Sequence, residues 1–326
     1  MKIIVMKFGG SSLAEPEKIK IMAERAHAVR RGGFGVIMVV SAPADVTDDL
    51  LALSKLVTGK PAPRELDALL AAGEQISAAL MAMAISGTGA QAISLSGTQA
   101  GIMTDSRHTD SDIISIRPVR VAAELKKGRI VVVAGFQGVT KEGDVSTLGR
   151  GGSDFTAVAL GCALKAVMCE LYTDVKGIYT ANPTVVPDAK KIPRISYDAV
   201  MRLARSGTEV RQLRAIAYAK KHRVPLRLLS SFENGYGTLV GDFEPASAKP
   251  EVTCFSILKS GDRAEIHLIG SKLNAPAIAD AVKNASASAG RRLLNEEYLP
   301  DWASLTTTFR DGEPLLKALH KIFIKP

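Results

Sequence analysis

The sequence predicts an α/β fold with an open, largely parallel sheet sandwiched by helices, followed by a small α+β unit. Three observations predict it. Short runs that are apolar almost without a break, such as Ile130-Val131-Val132-Val133-Ala134, alternate with longer helical stretches, as in parallel sheets buried on both faces. Glycine-rich turns stand beside several of these runs. Beyond residue 250 the pattern changes to strand-like alternation in shorter elements.

In chain order, Ile3–Phe8 is β-branched and apolar and reads as a buried strand ending at Gly9-Gly10-Ser11-Ser12. A helix is expected over Pro16–Arg31. A second strand, Gly35–Val40, is closed by Ser41-Ala42-Pro43. Residues 50–57 read as helical. After the Lys60-Pro61-Ala62-Pro63 break, 64–86 form a long Ala/Leu-rich helix. Ala92–Leu95 is a short strand, and 129–134 is the clearest buried strand, ending at Gly135-Phe136. The run from Leu148 to Asp154 opens a helix over 155–164. Strands at 167–173, 224–229 and 237–240 complete a first domain, 1–244. A linker of small residues and proline follows. A second domain, 251–326, then holds strands at 252–258, 263–269, 291–298 and 303–309, with helices at 277–286 and 314–323. At about 75 residues it is near the lower limit for a self-sufficient core, so it is expected to pack against the first domain or a copy of itself.

Composition narrows the function classes. With 46% hydrophobic and 23% charged residues among 326, the chain is neither disordered nor collagen-like. Its 42 Lys+Arg against 33 Asp+Glu give +9, which suits a polyanion, an anionic membrane or a phosphorylated small ligand. The excess is local: between Lys176 and Arg227 stand twelve Lys/Arg and three acids, and the remainder is balanced. Aromatic residues are only 5% and no nucleic-acid recognition motif is present, so nucleic acid is not an expected partner. No stretch reads as the roughly 18 apolar residues of a membrane span, and the first residues carry no cleavable leader. Cys162, Cys169 and Cys254 fit neither a disulfide scaffold nor a zinc pattern. They are expected as reduced core residues of a soluble, cytoplasmic protein.

Two glycine-rich turns bear on chemistry: Lys7-Phe8-Gly9-Gly10-Ser11-Ser12 after a strand, and Gly149-Arg150-Gly151-Gly152-Ser153-Asp154 opening a helix. Glycines admit a phosphate close to the backbone, and N–H groups at a helix start attract anions. Each turn alone is also compatible with a plain tight turn. Neither is a Walker A loop, and Gly87 to Gly89 lacks the third glycine of a dinucleotide fingerprint. Two such turns at the carboxyl ends of parallel strands mark the usual ligand crevice of an open α/β sheet.

These segments, with Ala72-Gly73-Glu74, Gly135-Phe136-Gln137-Gly138, Thr147-Leu148 and Tyr172-Thr173-Asp174-Val175-Lys176-Gly177-Ile178-Tyr179-Thr180, resemble aspartate kinases of the amino-acid kinase superfamily, in that family's order and spacing. The resemblance covers Met1 to Gly241. It implies transfer of the γ-phosphoryl group of ATP to the side-chain carboxylate of L-aspartate, giving 4-phospho-L-aspartate, with Mg2+ held mainly by the nucleotide phosphates. The acceptor is already ionised at neutral pH, so no general base is required, and catalysis is positioning plus charge neutralisation.

The resemblance implies these roles. Lys7 faces the transferring phosphoryl group, and Asp154 orients the glycine loop and Lys7, with helix capping as the plainer reading of Asp154. Arg150 grips the α-carboxylate of aspartate, and Glu74 pairs with its ammonium. Ser41, Thr47 and Ser153 donate hydrogen bonds to it, with Gly152 beside them and Phe136 as pocket wall. An exposed helix position for Glu74, a helix cap for Thr47 and plain core packing for Phe136 are the alternatives. Gly9, Gly10, Ser11, Thr173, Asp174 and Tyr179 stand at nucleotide-binding positions, as does Lys7. His108 has no partner spaced as a metal ligand, so a structural or surface role is expected.

The nucleotide half departs from the family's pattern. Asn182-Pro183-Thr184 stands where Asp-Pro-Arg is usual, and Gly207-Thr208-Glu209 where the third residue is usually lysine. Each lost charge-assisted contact costs roughly 1.5–3 kcal/mol. Lys176, Arg205 and Arg211 are candidate replacements. Gln75, where arginine is common, is a smaller departure. The second domain resembles a single ACT module of β-α-β-β-α-β order, where typical members carry two. It is expected to serve homodimerisation and to be insensitive to lysine and threonine. Two alternatives stay open: a kinase for a related amino acid or carboxylate, and a catalytically weak homologue with a regulatory or scaffolding role.

Overall fold

A computed structural model describes residues 1–206, 213–243 and 249–324. In chain order the elements are β1 (Ile3–Phe8), α1 (Pro16–Arg31), β2 (Gly35–Val40), α2 (Val46–Val57), α3 (Pro63–Gly87), β3 (Ala92–Leu95), β4 (Ile102–Thr104), β5 (Ile113–Ile116), α4 (Val119–Lys126), β6 (Ile130–Ala134), β7 (Gln137–Val139), β8 (Val145–Thr147), α5 (Gly152–Ala163) and β9 (Met168–Thr173). There follow β10 (Arg194–Ser196), α6 (Tyr197–Arg205), α7 (Leu213–His222), β11 (Leu226–Ser230), β12 (Thr238–Gly241), β13 (Glu251–Ser260), β14 (Arg263–Ser271), α8 (Pro276–Ser288), β15 (Leu293–Tyr298), β16 (Trp302–Thr308) and α9 (Phe309–Phe323). The chain divides into two compact units, Met1–Lys176 with Ala217–Leu239, and Gly177–Ile216 with Val240–Pro326. The division falls after β9 rather than only at the proline-containing linker, whose residues 244–248 lie outside the described ones.

The first unit is built on parallel strands in the order β11-β9-β1-β2-β6-β3. One face of the sheet, with Met6, Phe8, Val36, Met38, Val40, Val132 and Ala134, packs on Met22, Ala23 and Ala26 of α1 and on Ala78, Met81 and Ile85 of α3. Val5, Ile37, Val39, Val131 and Val133 are just as fully buried on the opposite face, where α5 lies against β1 and β2. Burial on both faces is why these strands are apolar at every position. The register aligns Phe8 with Val40 and with Tyr172, and Val40 with Ala134. The carboxyl ends of four strands therefore meet along one edge of the sheet.

A second sheet in this unit, β5-β4-β7-β8, is made of strands of three or four residues. Runs this short carry too little alternation to be read from sequence, and the same holds for the eight-residue α4. Two expectations are corrected here. Cys169 is fully buried, but Cys162, near the end of α5, is only partly buried rather than a core residue. By length and composition alone α3 is apolar enough to cross a membrane, a test that the core helix of a soluble protein also passes; past its first turn it carries only two charged residues, Asp67 and Glu74.

The second unit centres on an antiparallel sheet in the order β13-β14-β16-β15. Ile278 and Val282 of α8 and Leu315, Leu316 and Leu319 of α9 pack onto Phe255, Ile266, Leu268, Ala303 and Leu305. The chain order is β-β-α-β-β-α, not the expected β-α-β-β-α-β. It is the expected order shifted by one strand, with β13 occupying the edge next to β14 that the final strand would fill. Part of the segment before the linker belongs to this unit. Ala181 and Val186 join its core, the Phe255 N–H donates to Thr180 O at 2.8 Å, and His320 Nε2 lies 2.8 Å from Thr180 Oγ1. Arg202 of α6 forms an ion pair with Asp301 at 2.9 Å.

Ile266, fully buried in this second core, tests its independence. Ile266→Ala is expected to cost about 3 kcal/mol by the transfer and cavity terms of a large-to-small change. Urea unfolding followed by the emission of Trp302, the only tryptophan, reads it.

Candidate active site

Lys7 is the penultimate residue of β1, and its side chain points from the sheet's carboxyl edge toward the first turn of α5. There its Nζ lies 2.9 Å from Asp154 Oδ1, with both side chains almost wholly buried. The turn after β1 passes close to the chain on either side. A Cβ on Gly10 would lie 2.9 Å from Ala42 O, and the Ala44 N–H donates to Gly10 O at 3.1 Å. The Ser12 N–H closes the turn onto Gly9 O, and the Ser12 and Ser231 hydroxyls are hydrogen-bonded. Only residues without a side chain admit this approach of the turns after β1 and β2.

The second glycine turn is fitted as tightly. Gly149 and Gly151 have φ of 70° and 74°, the left-handed region that favours glycine. Gly151 is the cap of α5, so Asp154 is not the N-cap but sits in the first turn, where its charge meets the positive end of the helix. A Cβ on Gly152 would fall 2.8 Å from the Phe136 ring, and one on Gly135 would fall 2.8 Å from Ser153 Cβ. Phe136 is itself left-handed at φ 68°. Its N–H donates to Thr156 Oγ1 at 3.1 Å, and its carbonyl accepts from the Leu148 N–H at 2.9 Å. The turn after β6 and the helix start at α5 thus brace each other, bringing Phe136, Gly152, Ser153 and Asp154 together beside Lys7.

Glu74 comes from below, on α3. Its side chain is buried, not exposed, and Oε1 accepts the Ala42 N–H at 3.1 Å. Among the described residues Oε2 has no hydrogen-bond partner. Burial raises the carboxyl from its ordinary 4.5 to about 7, and the Ala42 N–H offsets part of the rise. Gly73 lets α3 approach the turn after β2 so closely, since a Cβ there would lie 2.9 Å from Ala42 Cβ. A buried carboxyl oxygen without a donor is suited to a cationic ligand.

The remaining candidates fall in both units. Ser41 follows β2 and donates its N–H to Phe8 O; Thr47 lies in the first turn of α2, not at its cap, and both are half-buried. Arg150 is exposed at the tip of the second glycine turn, and Ser11 is exposed in the first. At the end of β9, the Thr173 hydroxyl accepts the Val175 N–H at 3.1 Å, and Asp174 is exposed. Tyr179 belongs to the second unit, where it bridges to Lys191. Thr184 turns back on its own segment, its N–H and hydroxyl both donating to Asn182 Oδ1. Lys176 pairs with Glu233 at 2.9 Å, and Arg205 is exposed on the last turn of α6. Gly207-Thr208-Glu209 and Arg211 lie outside the described residues.

Sequence reasoning missed the groups that support these residues. Asp67, wholly buried on α3, takes hydrogen bonds from the Thr147 hydroxyl, the Thr109 N–H and His108. His108 is therefore structural, as expected of a histidine without metal-ligand spacing. Gln137 donates its amide to Ala71 O at 2.8 Å. The signal available in the sequence was a pair of acids, Asp67 and Glu74, seven residues apart in a helix otherwise uncharged past its first turn, which places both on one face.

Comparison with known proteins agrees with this geometry. Residues 2–230 match the model of the amino acid kinase family. An aspartokinase of Corynebacterium glutamicum is 44% identical over all of this chain and 79% of its own length. An aspartokinase of Mycobacterium tuberculosis is 48% identical over 74% of this chain, which spans 57% of that protein. In structure the chain is similar to Escherichia coli aspartokinase III in complex with aspartate and ADP, at a TM-score of 0.83 and 20% identity over 99% of this chain and 100% of that one. It is also similar to aspartate kinase from Synechocystis, at 0.67 and 28% over 99% and 70%.

The shifted carboxyl of Glu74 predicts a pH dependence. Its folded value lies above the unfolded one, so between pH 4.5 and about 7 the folded chain keeps a proton that the unfolded chain has lost. Stability is therefore favoured at the acid side and falls as pH rises through that window, by about 3 kcal/mol in all. Glu74→Gln removes this contribution. Its urea midpoint, relative to wild type, is expected to rise between about pH 5 and pH 8; parallel profiles would refute the assignment.

Proposed function

The chain belongs to the aspartokinases of the amino acid kinase family, and on that premise we propose that it moves the γ-phosphoryl group of ATP to the side-chain carboxylate of L-aspartate. The observation that carries this reading is the buried Lys7–Asp154 pair, 2.9 Å apart between two glycine turns at the carboxyl edge of a parallel sheet. A single compact cation there, with the N–H groups of the α5 start beside it, suits the charge on a phosphoryl group in transfer. The acceptor carboxylate is ionised at neutral pH and needs no base. Asp154 holds Lys7 in place and is too close to its ammonium to serve as anything but its counter-ion.

Around the acceptor, Glu74 offers a buried carboxyl whose Oε2 has no hydrogen-bond partner among the described residues, and an α-ammonium would satisfy it and favour its ionised form. Arg150 supplies the fork for the α-carboxylate. Ser41, Thr47 and Ser153 donate to the acceptor, and Phe136 closes the wall. Gly9, Gly10 and Ser11 lie along the phosphates, and Thr173 with Asp174 mark the nucleoside side. Mg2+ is carried mainly by the nucleotide phosphates. Residues 1–244 are assigned to catalysis and 251–326 to an ACT-like module that is insensitive to lysine and threonine. A homodimer is supported by apolar side chains left exposed on α2 and α3, among them Leu56, Ile76, Leu80 and Met83. Free cysteines support a cytoplasmic setting.

Incubation with MgATP, L-aspartate and hydroxylamine traps an acyl phosphate as its hydroxamate. Wild type is expected to form it, and Lys7→Ala to lose about a hundredfold or more in rate. Arg150→Ala is expected to raise the KM for aspartate. No hydroxamate together with no ATP binding in calorimetry would sink the proposal.

A further inference from the structure

Asp67 is a carboxyl without solvent access, and among the described residues no Lys or Arg pairs with it. It lies one helical turn into α3 and is hydrogen-bonded by groups from two separate pieces of chain. His108 Nδ1 lies 2.8 Å from Oδ2; the Thr109 N–H reaches Oδ1 at 3.0 Å and Oδ2 at 3.1 Å; the Thr147 hydroxyl donates to Oδ1. A buried carboxylate is retained only if its lone pairs are filled in good geometry. Here every filling contact comes from the chain leading into the second glycine turn, or from the loop lying against that turn.

The connection to that turn is short. Thr147 ends β8, and Gly149-Arg150-Gly151 begins two residues on. The Ser111 N–H, two residues past Thr109, donates to Thr147 O at 2.8 Å. Asp110 stands so close to Gly149 that a Cβ there would lie 2.5 Å from its Oδ1. The left-handed φ of 71° at Thr109 turns the loop so that its N–H points down at α3. Seven residues along the same helix face is Glu74, which touches the turn after β2. One helix therefore fixes both walls of the acceptor side, one through Glu74 and the other through Asp67.

We propose that Asp67 is a positioning residue of the reaction: it anchors Thr147 and the 108–111 loop to α3, and so sets the height of Arg150 and Ser153 over the acceptor. The proposal rests on the kinase reading for its kinetic consequence, but not for its mechanical one. Asn at this position keeps the shape of Asp and loses the charge and one acceptor oxygen, presenting an amide to three donors. The loop is then held by fewer bonds, and the effect falls on the acceptor and spares the nucleotide.

Two measurements test it, on Asp67→Asn, Thr147→Val and Thr147→Ser in the full chain. Trypsin cleavage after the exposed Arg150 is expected to speed up about tenfold in Asp67→Asn and Thr147→Val, while Thr147→Ser, which restores the hydroxyl, stays at the wild-type rate. In the hydroxamate assay the KM for aspartate is expected to rise about tenfold in the same two variants, with the KM for ATP within about twofold of wild type. Unchanged cleavage after Arg150 in both variants, equal rises in the two KM values, or a defect in Thr147→Ser as large as in Thr147→Val would overturn it. If Asp67→Asn does not fold, the two Thr147 variants carry the test. If wild type forms no hydroxamate and binds no ATP, the kinase reading falls and the cleavage rates alone decide this one.

Discussion

Lys7 and Asp154 lie 2.9 Å apart with almost no access to water. Removing two ions from solvent costs several kcal/mol each, and their mutual attraction repays this only when geometry is maintained. Everything near the pair serves that maintenance. Lys7 is fixed because β1 is flanked by β2 and β9 in a sheet that has helices on both faces. Asp154 is fixed because α5 starts against the turn after β6, through contacts that tolerate no Cβ at Gly135 or Gly152. The helix start adds its own favourable field to the carboxylate. A pair bought so dearly and placed at a sheet edge is a charge held ready for a third partner, and a phosphoryl group is one that a lysine between glycine amides can take.

Glu74 applies the same constraint with the opposite outcome. It has no cation among the described residues, so burial has raised its carboxyl to about 7 instead of enforcing ionisation. On the proposed function, an ammonium arriving here would supply the missing charge and favour loss of the proton. An acceptor lacking the amino group would leave Oε2 buried and unpaired, so this one oxygen would discriminate between acceptors.

Much of this was legible in the sequence, and the reason is period. Strands such as Ile130–Ala134 are apolar at every position because both faces are covered, and their β-branched residues and the glycines beside them separate them from a buried helix segment. The glycine turns were legible because Gly149, Gly151 and Gly152 answer to local demands, a left-handed φ or a forbidden Cβ. The small sheet from β4 to β8 was not legible, since strands of three or four residues take their shape from their neighbours. Asp67 was invisible for a different reason. Its hydrogen bonds come from residues 41 to 80 positions away along the chain, and the local sequence offers only its seven-residue spacing from Glu74. The joining of Thr180 to His320 and Phe255 was hidden in the same way.

The surplus of positive charge between Lys176 and Arg227 raised the question of whether relocated cations replace the arginine and lysine absent at Thr184 and Glu209. The geometry answers for part of the set. Lys176 is paired with Glu233, Arg202 with Asp301, and Arg227 approaches Glu170 at 3.6 Å, while Arg194 lies over the Phe243 ring at 5.8 Å. A cation already paired can serve a triphosphate only by giving up that partner, though at exposed positions such as Lys176 and Glu233 the exchange costs little. Thr184, for its part, spends its donors on Asn182 and closes its own turn. Three of the twelve cations are thus engaged in ordinary ion pairs. If nucleotide phosphates are held without the two lost contacts, the holding falls on Lys7 and the backbone of the glycine turns, groups whose placement the Lys7–Asp154 pair already fixes.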